Sequence, residues 1–238
     1  MGFRGKKNME IRPKFNQKGI TLIELLVVLI ISGIVIAGIY RLFIAQTRAY
    51  TVQDQVADVQ QNIRSAMENL LRDLRMTGFD DDATPAITIP TPVAFPLSDN
   101  SITVGYEYYD RNLAQNQRHT VTYNLNAANL IRQLTVNDVA QPSETVLGNV
   151  DSLIFAYGVD QDLPGTPGYG KMDDQNGDNI IDDNDWLTAA GAGTRKVIAI
   201  RVTLTARTDP AFEDVRNQVS PRTLTSAITL RNLAKWSE

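Results

Sequence analysis

The stretch KGITLIELLVVLIISGIVIAGIY, residues 18–40, decides how the rest of the chain is read. From Ile20 to Ile39 it runs twenty residues with a single charge, Glu24. As a helix that is about 30 Å, enough to cross a bilayer core. Six cations precede it (Arg4, Lys6, Lys7, Arg12, Lys14, Lys18), against Arg41 just after it, which places the N-terminal side in the cytoplasm. A cleaved secretory signal fits badly, because the apolar run is too long and no small-x-small site closes it. A plain anchor fits the length but leaves Glu24 unexplained, since a carboxylate at a bilayer centre costs roughly 2.5–3.5 kcal/mol on insertion scales.

Beyond Tyr40 the pattern turns amphipathic. Val52, Val56, Val59, Ile63, Met67, Leu70 and Leu74 recur at threes and fours, one stripe on a helix, while Gln53, Asp54, Asp58, Arg64 and Glu68 take other faces. Arg72 and Arg75 suit the negative end of the helix dipole, and Gly78 is a C-cap. The spacing predicts one helix over 20–77 with its stripe against a sheet. After Gly78 the composition changes to turns and strands. FDDDATPAITIPTPVAFPLSDN (79–100), with four prolines, reads as a connection. SITVGYEYYD (101–110) alternates as a half-buried strand, and HTVTYNL and NLIRQL joined by NAA read as a hairpin. NVDSLIFAYGVD, RKVIAIRVTLTAR and TLTSAITLRNL supply further strands. Antiparallel strands against one long helix make the fold class α+β.

The whole chain carries a net charge of −4, but without its first 19 residues it holds 17 basic against 26 acidic residues. A body that acidic repels phosphates, so nucleic acid is excluded as a partner. With no cysteine there is neither a disulfide framework nor a thiolate site. His119 is the sole histidine and is expected to be exposed at a turn. No G-x-S-x-G elbow or phosphate-cradling glycine loop occurs, and the chain is read as non-enzymatic. Tyr106, Tyr108, Tyr109, Tyr169 and Trp186 are expected to serve packing rather than a binding face.

One segment has metal-ligand spacing: DDQNGDNIIDDND, residues 173–185. Counting from Asp174, oxygen-bearing side chains fall at loop positions 1, 3, 5, 9 and 12, namely Asp174, Asn176, Asp178, Asp182 and Asp185. Ile180 at position 7 offers its carbonyl, and Ile181 at position 8 is apolar. Alternate oxygens converging on a hard cation is the logic of a calcium loop. Asn179 stands where glycine is usual, although Asn tolerates the left-handed backbone, and Asp185 is shorter than the usual bidentate Glu. The expectation is a structural Ca²⁺ site.

A basic leader ending in Gly19, then ITLIE and a long apolar helix, resembles the processing signal of type IV pilins and of type II secretion pseudopilins. The resemblance implies that a prepilin peptidase cuts between Gly19 and Ile20 and that Ile20 is then N-methylated. It further implies that Glu24, fifth in the mature chain, neutralises a neighbouring subunit's terminal amine in the fibre. A paired carboxylate recovers much of the cost a lone one would bear. LRDLRMTGFD, NVDSLIFAYGVD, VIAIRVTLTAR and LTSAITLRNL are similar to the PilW family of minor pilins, which is close to the J-type pseudopilin. Major pilins often carry an early helix proline, whereas none occurs here between Ile20 and Pro85. The organisation implied is a cleaved leader (1–19), a membrane or fibre-core helix (20–40), an amphipathic stem (41–78) and a β-rich head outside the cytoplasm (79–238). The function implied is that of a minor, tip or priming subunit of a type IV pilus in the inner membrane. Its partners would be other minor pilins, the major pilin and the peptidase. A pseudopilin of type II secretion is the alternative, and a membrane-anchored adhesin the third.

Overall fold

A computed structural model describes residues 19–80, 92–163, 166–209 and 219–234. The leader ahead of Gly19 and residues 81–91 of the proline-rich connection lie outside the described residues. Helix α1 spans Leu22–Met76, 55 residues without interruption, close to the 20–77 expected from periodicity. Contacts divide the chain into two units, residues 1–50 and 51–238.

In the first unit α1 buries none of its large apolar side chains among the described residues. Its large apolar side chains from Leu22 to Phe43 are exposed, from 46% at Leu26 to 82% at Leu22. An 18-residue window of this helix reaches a mean hydropathy of 2.9, long and apolar enough to cross a membrane. A helix apolar on every face needs something apolar around it.

In the second unit α1 buries Val59, Ile63, Ala66, Met67, Leu70, Leu71 and Leu74. Val52 and Val56, assigned to the same stripe from spacing, are only half-buried, so the packed face begins at Val59. Two antiparallel sheets complete the core. The first runs β1 (Ser101–Asp110), β2 (Gln115–Asn126), β3 (Asn129–Val136) and β4 (Val139–Ala140), with β5 (Glu144–Leu147) also on β3. The second runs β6 (Val150–Asp160), β7 (Lys196–Ala206) and β8 (Arg222–Thr229). Two short helices, α2 (Ala189–Ala192) and α3 (Arg231–Ala234), lie before β7 and after β8. A single cluster joins the α1 stripe to Val104, Val121, Tyr123, Phe155, Ile200 and Leu204 from both sheets. This is the α+β plan read from the sequence.

The β2–β3 hairpin turns at Ala127 and Ala128, whose φ values are 46° and 65°. Its register pairs Tyr123 with Arg132. The helix stops where Gly78 adopts φ 70°, a conformation that favours glycine. A Cβ there would sit 2.6 Å from Leu233 Cδ2, so α3 packs directly on the stop. Asn232 Nδ2 donates to the Thr77 carbonyl at 3.0 Å, and Gly78 N donates to Gly105 O at 2.9 Å. The end of α1 is thus tied both to β1 and to the C-terminal segment.

Candidate assembly helix and acidic loop

The cut expected after Gly19 falls in exposed chain outside any helix or strand. Gly19 and Ile20 precede the helix, and nothing lies within 4 Å of a Cβ built on Gly19. Thr21 caps α1. Its backbone N–H donates to Glu24 Oε2 at 2.8 Å, its hydroxyl donates to the same oxygen at 2.8 Å, and Glu24 N donates back to Thr21 Oγ1 at 3.3 Å. This is a capping box: Thr21-x-x-Glu24 satisfies two of the amide donors that a helix start leaves open. Glu24 therefore has an intrachain role before any neighbour arrives. The T-x-x-E spelling that reveals it stands in the sequence, but its reading as part of the processing motif hid it. The carboxylate keeps lone pairs beyond the two bonds it accepts, so the helix start and a cation can use it together.

Deeper in the same helix the second unit holds another acid. Asp73 is 8% exposed. Tyr123 Oη donates to Asp73 Oδ2 at 2.7 Å, and Arg132 Nε donates to that oxygen at 2.7 Å. Hydrogen bonding to Asp73 and its charge hold the Arg132 guanidinium well above its ordinary range, against an opposing push from burial. Burial and the same acid push the Tyr123 hydroxyl up. His119, expected at an exposed turn, lies inside β2 at 8% exposure, its ring 5.2 Å from that of Tyr106 and 4.8 Å from that of Tyr108. Desolvation, then the Arg132 charge, lowers its pKa below 6.5. Cross-strand pairing on one sheet face brings these rings together, because Tyr106 and His119 are register partners.

The acidic loop is held by its own carboxylates. Asp174 Oδ1 accepts from the amides of Asn176 at 3.1 Å and Gly177 at 2.6 Å, while Oδ2 accepts from Asn179 N. Slight desolvation pushes its carboxyl up, but these amides and that of Asp178 outweigh it and hold the group below its ordinary range. Asp178 accepts from Ile180 N at 2.8 Å. Asp182 caps a 3₁₀ turn at 183–185, and Asp185, fully buried, accepts from Gln175 N at 2.6 Å and Asp182 N at 2.7 Å. Asn179 has φ 64°, the left-handed backbone that the usual glycine of such loops would supply. Loop positions 1, 3, 5, 9 and 12 therefore point their oxygens largely at local amides. Among the described residues the three carboxylates that converge within 4.8 Å are Asp160, Asp162 and Asp173, just before the loop. Asp160 is already answered by Lys196 Nζ at 2.8 Å and Gly170 N at 2.9 Å. Burial pushes its carboxyl up, yet these partners and the Asp162 amide bring it below its ordinary value.

Of the aromatic residues, Tyr106 is buried, Tyr169 lies under Lys196 Nζ at 3.9 Å, and Trp186 lies under the Arg201 guanidinium at 4.9 Å. These contacts are structural; of the five aromatic residues expected to pack, Tyr109 is the exposed one, at 47%.

Comparison with known proteins places this helix in a class. Residues 14–40 match the model of the prokaryotic N-terminal methylation motif. A solved structure, a type IV-like pilin from Thermus thermophilus, is similar with a TM-score of 0.43 and 12% identity, covering 75% of this chain and 100% of that one. None of the curated proteins matches. The N-terminal segment of the chain thus carries the prokaryotic N-terminal methylation motif. The motif and its apolar helix fit a membrane-anchored subunit.

Proposed function

We propose that this chain is a minor subunit of a type IV pilus, acting at or near the tip to prime assembly. The observation that carries the reading is the methylation motif joined to a helix whose first half is bare and whose second half is built into a folded unit. In this reading a prepilin peptidase removes residues 1–19 on the cytoplasmic side of the inner membrane, and Ile20 is methylated. Residues 20–40 wait in the bilayer, with residues 79–238 on its outer side, until the apolar helix exchanges lipid for other pilin helices. Glu24 then faces the new amine of an adjacent subunit, while Thr21 still caps its helix. The other minor pilins and the major pilin are the partners. Similarity of the strand phrases to the PilW family and the unbroken, proline-free helix favour a minor over a bulk role.

Deleting the gene, with surface pili counted by electron microscopy and secreted proteins compared in parallel, tests this. Loss of pili with normal secretion is expected. Intact pili with depleted secretion would instead assign the chain to a type II secretion pseudopilus, to which the same motif applies. Neither defect, with an intact leader, would leave a simple anchored adhesin.

We infer also that the 174–185 loop takes Ca²⁺ as a structural ion, through Asp174, Asn176, Asp178, the Ile180 carbonyl, Asp182 and Asp185. The left-handed Asn179 and the buried Asp185 suit such a loop, and each carboxylate retains acceptor sites beside its amide bonds. Extracellular calcium modules bind with dissociation constants of order 10⁻⁴ to 10⁻³ M. Saturable heat on calcium titration, lost in Asp178→Ala, is the expected result; no saturable heat removes the site.

A further inference from the structure

The second sheet has two edges of unlike chemistry. At the β8 edge, Ala227, Ile228 and Thr229 line an open groove between Arg75, at the end of α1, and Arg231, at the start of α3. Its volume is about 630 Å³, within the range of clefts that take up ligand-sized groups. Among the described residues neither arginine is ion-paired, and β8 pairs on one side only. The groove is apolar along its floor and cationic at both rims.

At the β6 edge the acidic loop is stitched on. Tyr157 N donates to Leu187 O at 2.8 Å, Leu187 N donates back at 2.9 Å, and Asp173 N donates to Val159 O at 2.9 Å. The loop ends in an apolar tip, with Ile180 61% and Ile181 52% exposed. Asp178 and Asp182 flank that tip and are themselves exposed. An apolar pair rimmed by acids on one edge thus answers an apolar floor rimmed by arginines on the other.

We propose that the groove at Arg75, Ile228 and Arg231 receives the Ile180–Ile181 tip of a second copy of this chain. The two halves lie on opposite edges of one three-stranded sheet, so the contact is heterologous and leaves a free half on each copy to continue a row. A closed two-fold pair would need one neighbour to engage both halves at once, and their placement on opposite edges of the sheet argues against that. The tip is fixed by Asp174, Asp182 and Asp185 through backbone amides, so the contact does not rest on the calcium reading; a bound divalent ion would reduce the acidic charge without reversing it.

The chain has no cysteine, which makes covalent trapping clean. Full-length Ile181→Cys and Ala227→Cys chains, both changes at exposed positions, are expressed in membranes singly, together, and as a double variant, then oxidised. The expected result is a dimer band only when the two single variants are co-expressed and a ladder in the double variant. Reversing the rim with Arg75→Glu/Arg231→Glu on the Ala227→Cys chain should cut the dimer yield at least about tenfold. Asp178→Lys on the Ile181→Cys chain should recover part of it. No dimer on co-expression, a trapped adduct with an unlike subunit only, equal trapping in the single variants, or indifference to charge reversal would each overturn the proposal. Loss of pili or of calcium binding is read separately and leaves this outcome untouched.

Discussion

The two halves of α1 have the same backbone and opposite fates for their side chains. Between Leu22 and Phe43 the apolar residues are exposed on every face; between Val59 and Leu74 an apolar stripe is sealed against two sheets. Hydrophobicity alone does not distinguish them. The difference lies in period: a face-wide run has no polar side to give to water, whereas a stripe does. The second half finds its partner within the chain, and the first must find it in lipid or in neighbouring helices. Each half also holds one acid that the simple pattern disfavours. Glu24 is answered locally by Thr21, Asp73 by residues 50 and 59 positions away.

Matched substitutions test that contrast. The largest effect is expected from Leu70→Ala, which opens a cavity at a fully buried site and should cost about 2–5 kcal/mol of unfolding free energy. Leu26→Ala in the other half should change the same unfolding transition by less than about 0.5 kcal/mol. Urea titration of the full chain in detergent, followed by tryptophan fluorescence, compares them; equal losses would break the contrast.

The paired acids come next. Asp73→Ala strands Arg132 and Tyr123 and should destabilise by about 3 kcal/mol, near the low end for a broken buried pair because Arg132 is partly exposed. Glu24→Ala should leave unfolding in detergent nearly unchanged while excluding the chain from fibres, seen as retention in the membrane fraction. If Glu24→Ala chains entered fibres normally, its assembly role would fall.

A smaller effect is expected from the loop. At a calcium concentration ten times Kd, binding contributes about 1.4 kcal/mol, a rise in Tm of about 3–6 °C. Chelator or Asp178→Ala should abolish the rise, whereas Asp138→Asn, which loses charge in the β3–β4 turn of the other sheet, should not.

The smallest concerns His119. Its folded pKa lies below 6.5 because burial, then the Arg132 charge, disfavours the imidazolium, with the Asp73 charge opposing. The unfolded chain therefore binds the proton more readily. The contribution is fully present above 6.5 and is lost as pH falls from there through the lower folded value. His119→Phe should flatten this part of the stability–pH curve, and an unchanged slope would contradict the burial argument.

Much of the fold was legible because it is periodic. The helix over 22–76 and the strands at 101–110, 150–160 and 196–206 follow threes, fours or alternation in the residues themselves. What escaped were features that pairing creates. Asp73 looks like a surface residue until the β2–β3 register sets Tyr123 beside Arg132. His119 looks like a turn residue until β1 supplies Tyr106 and Tyr108. The Thr21–Glu24 box was local and spelled out, yet one motif masked another. The loop's composition was plain, while the direction of each carboxylate, toward an amide or toward the loop centre, depends on backbone turns that composition does not encode.

The most direct measurement is the intact mass of the chain purified from cells with and without a prepilin peptidase. With the enzyme, the account predicts a chain beginning at Ile20 and carrying one added methyl group; without it, the leader should remain. A mature chain that keeps residues 1–19 in the presence of the peptidase, or one cut elsewhere, would contradict the processing on which the fate of the bare half of α1 depends.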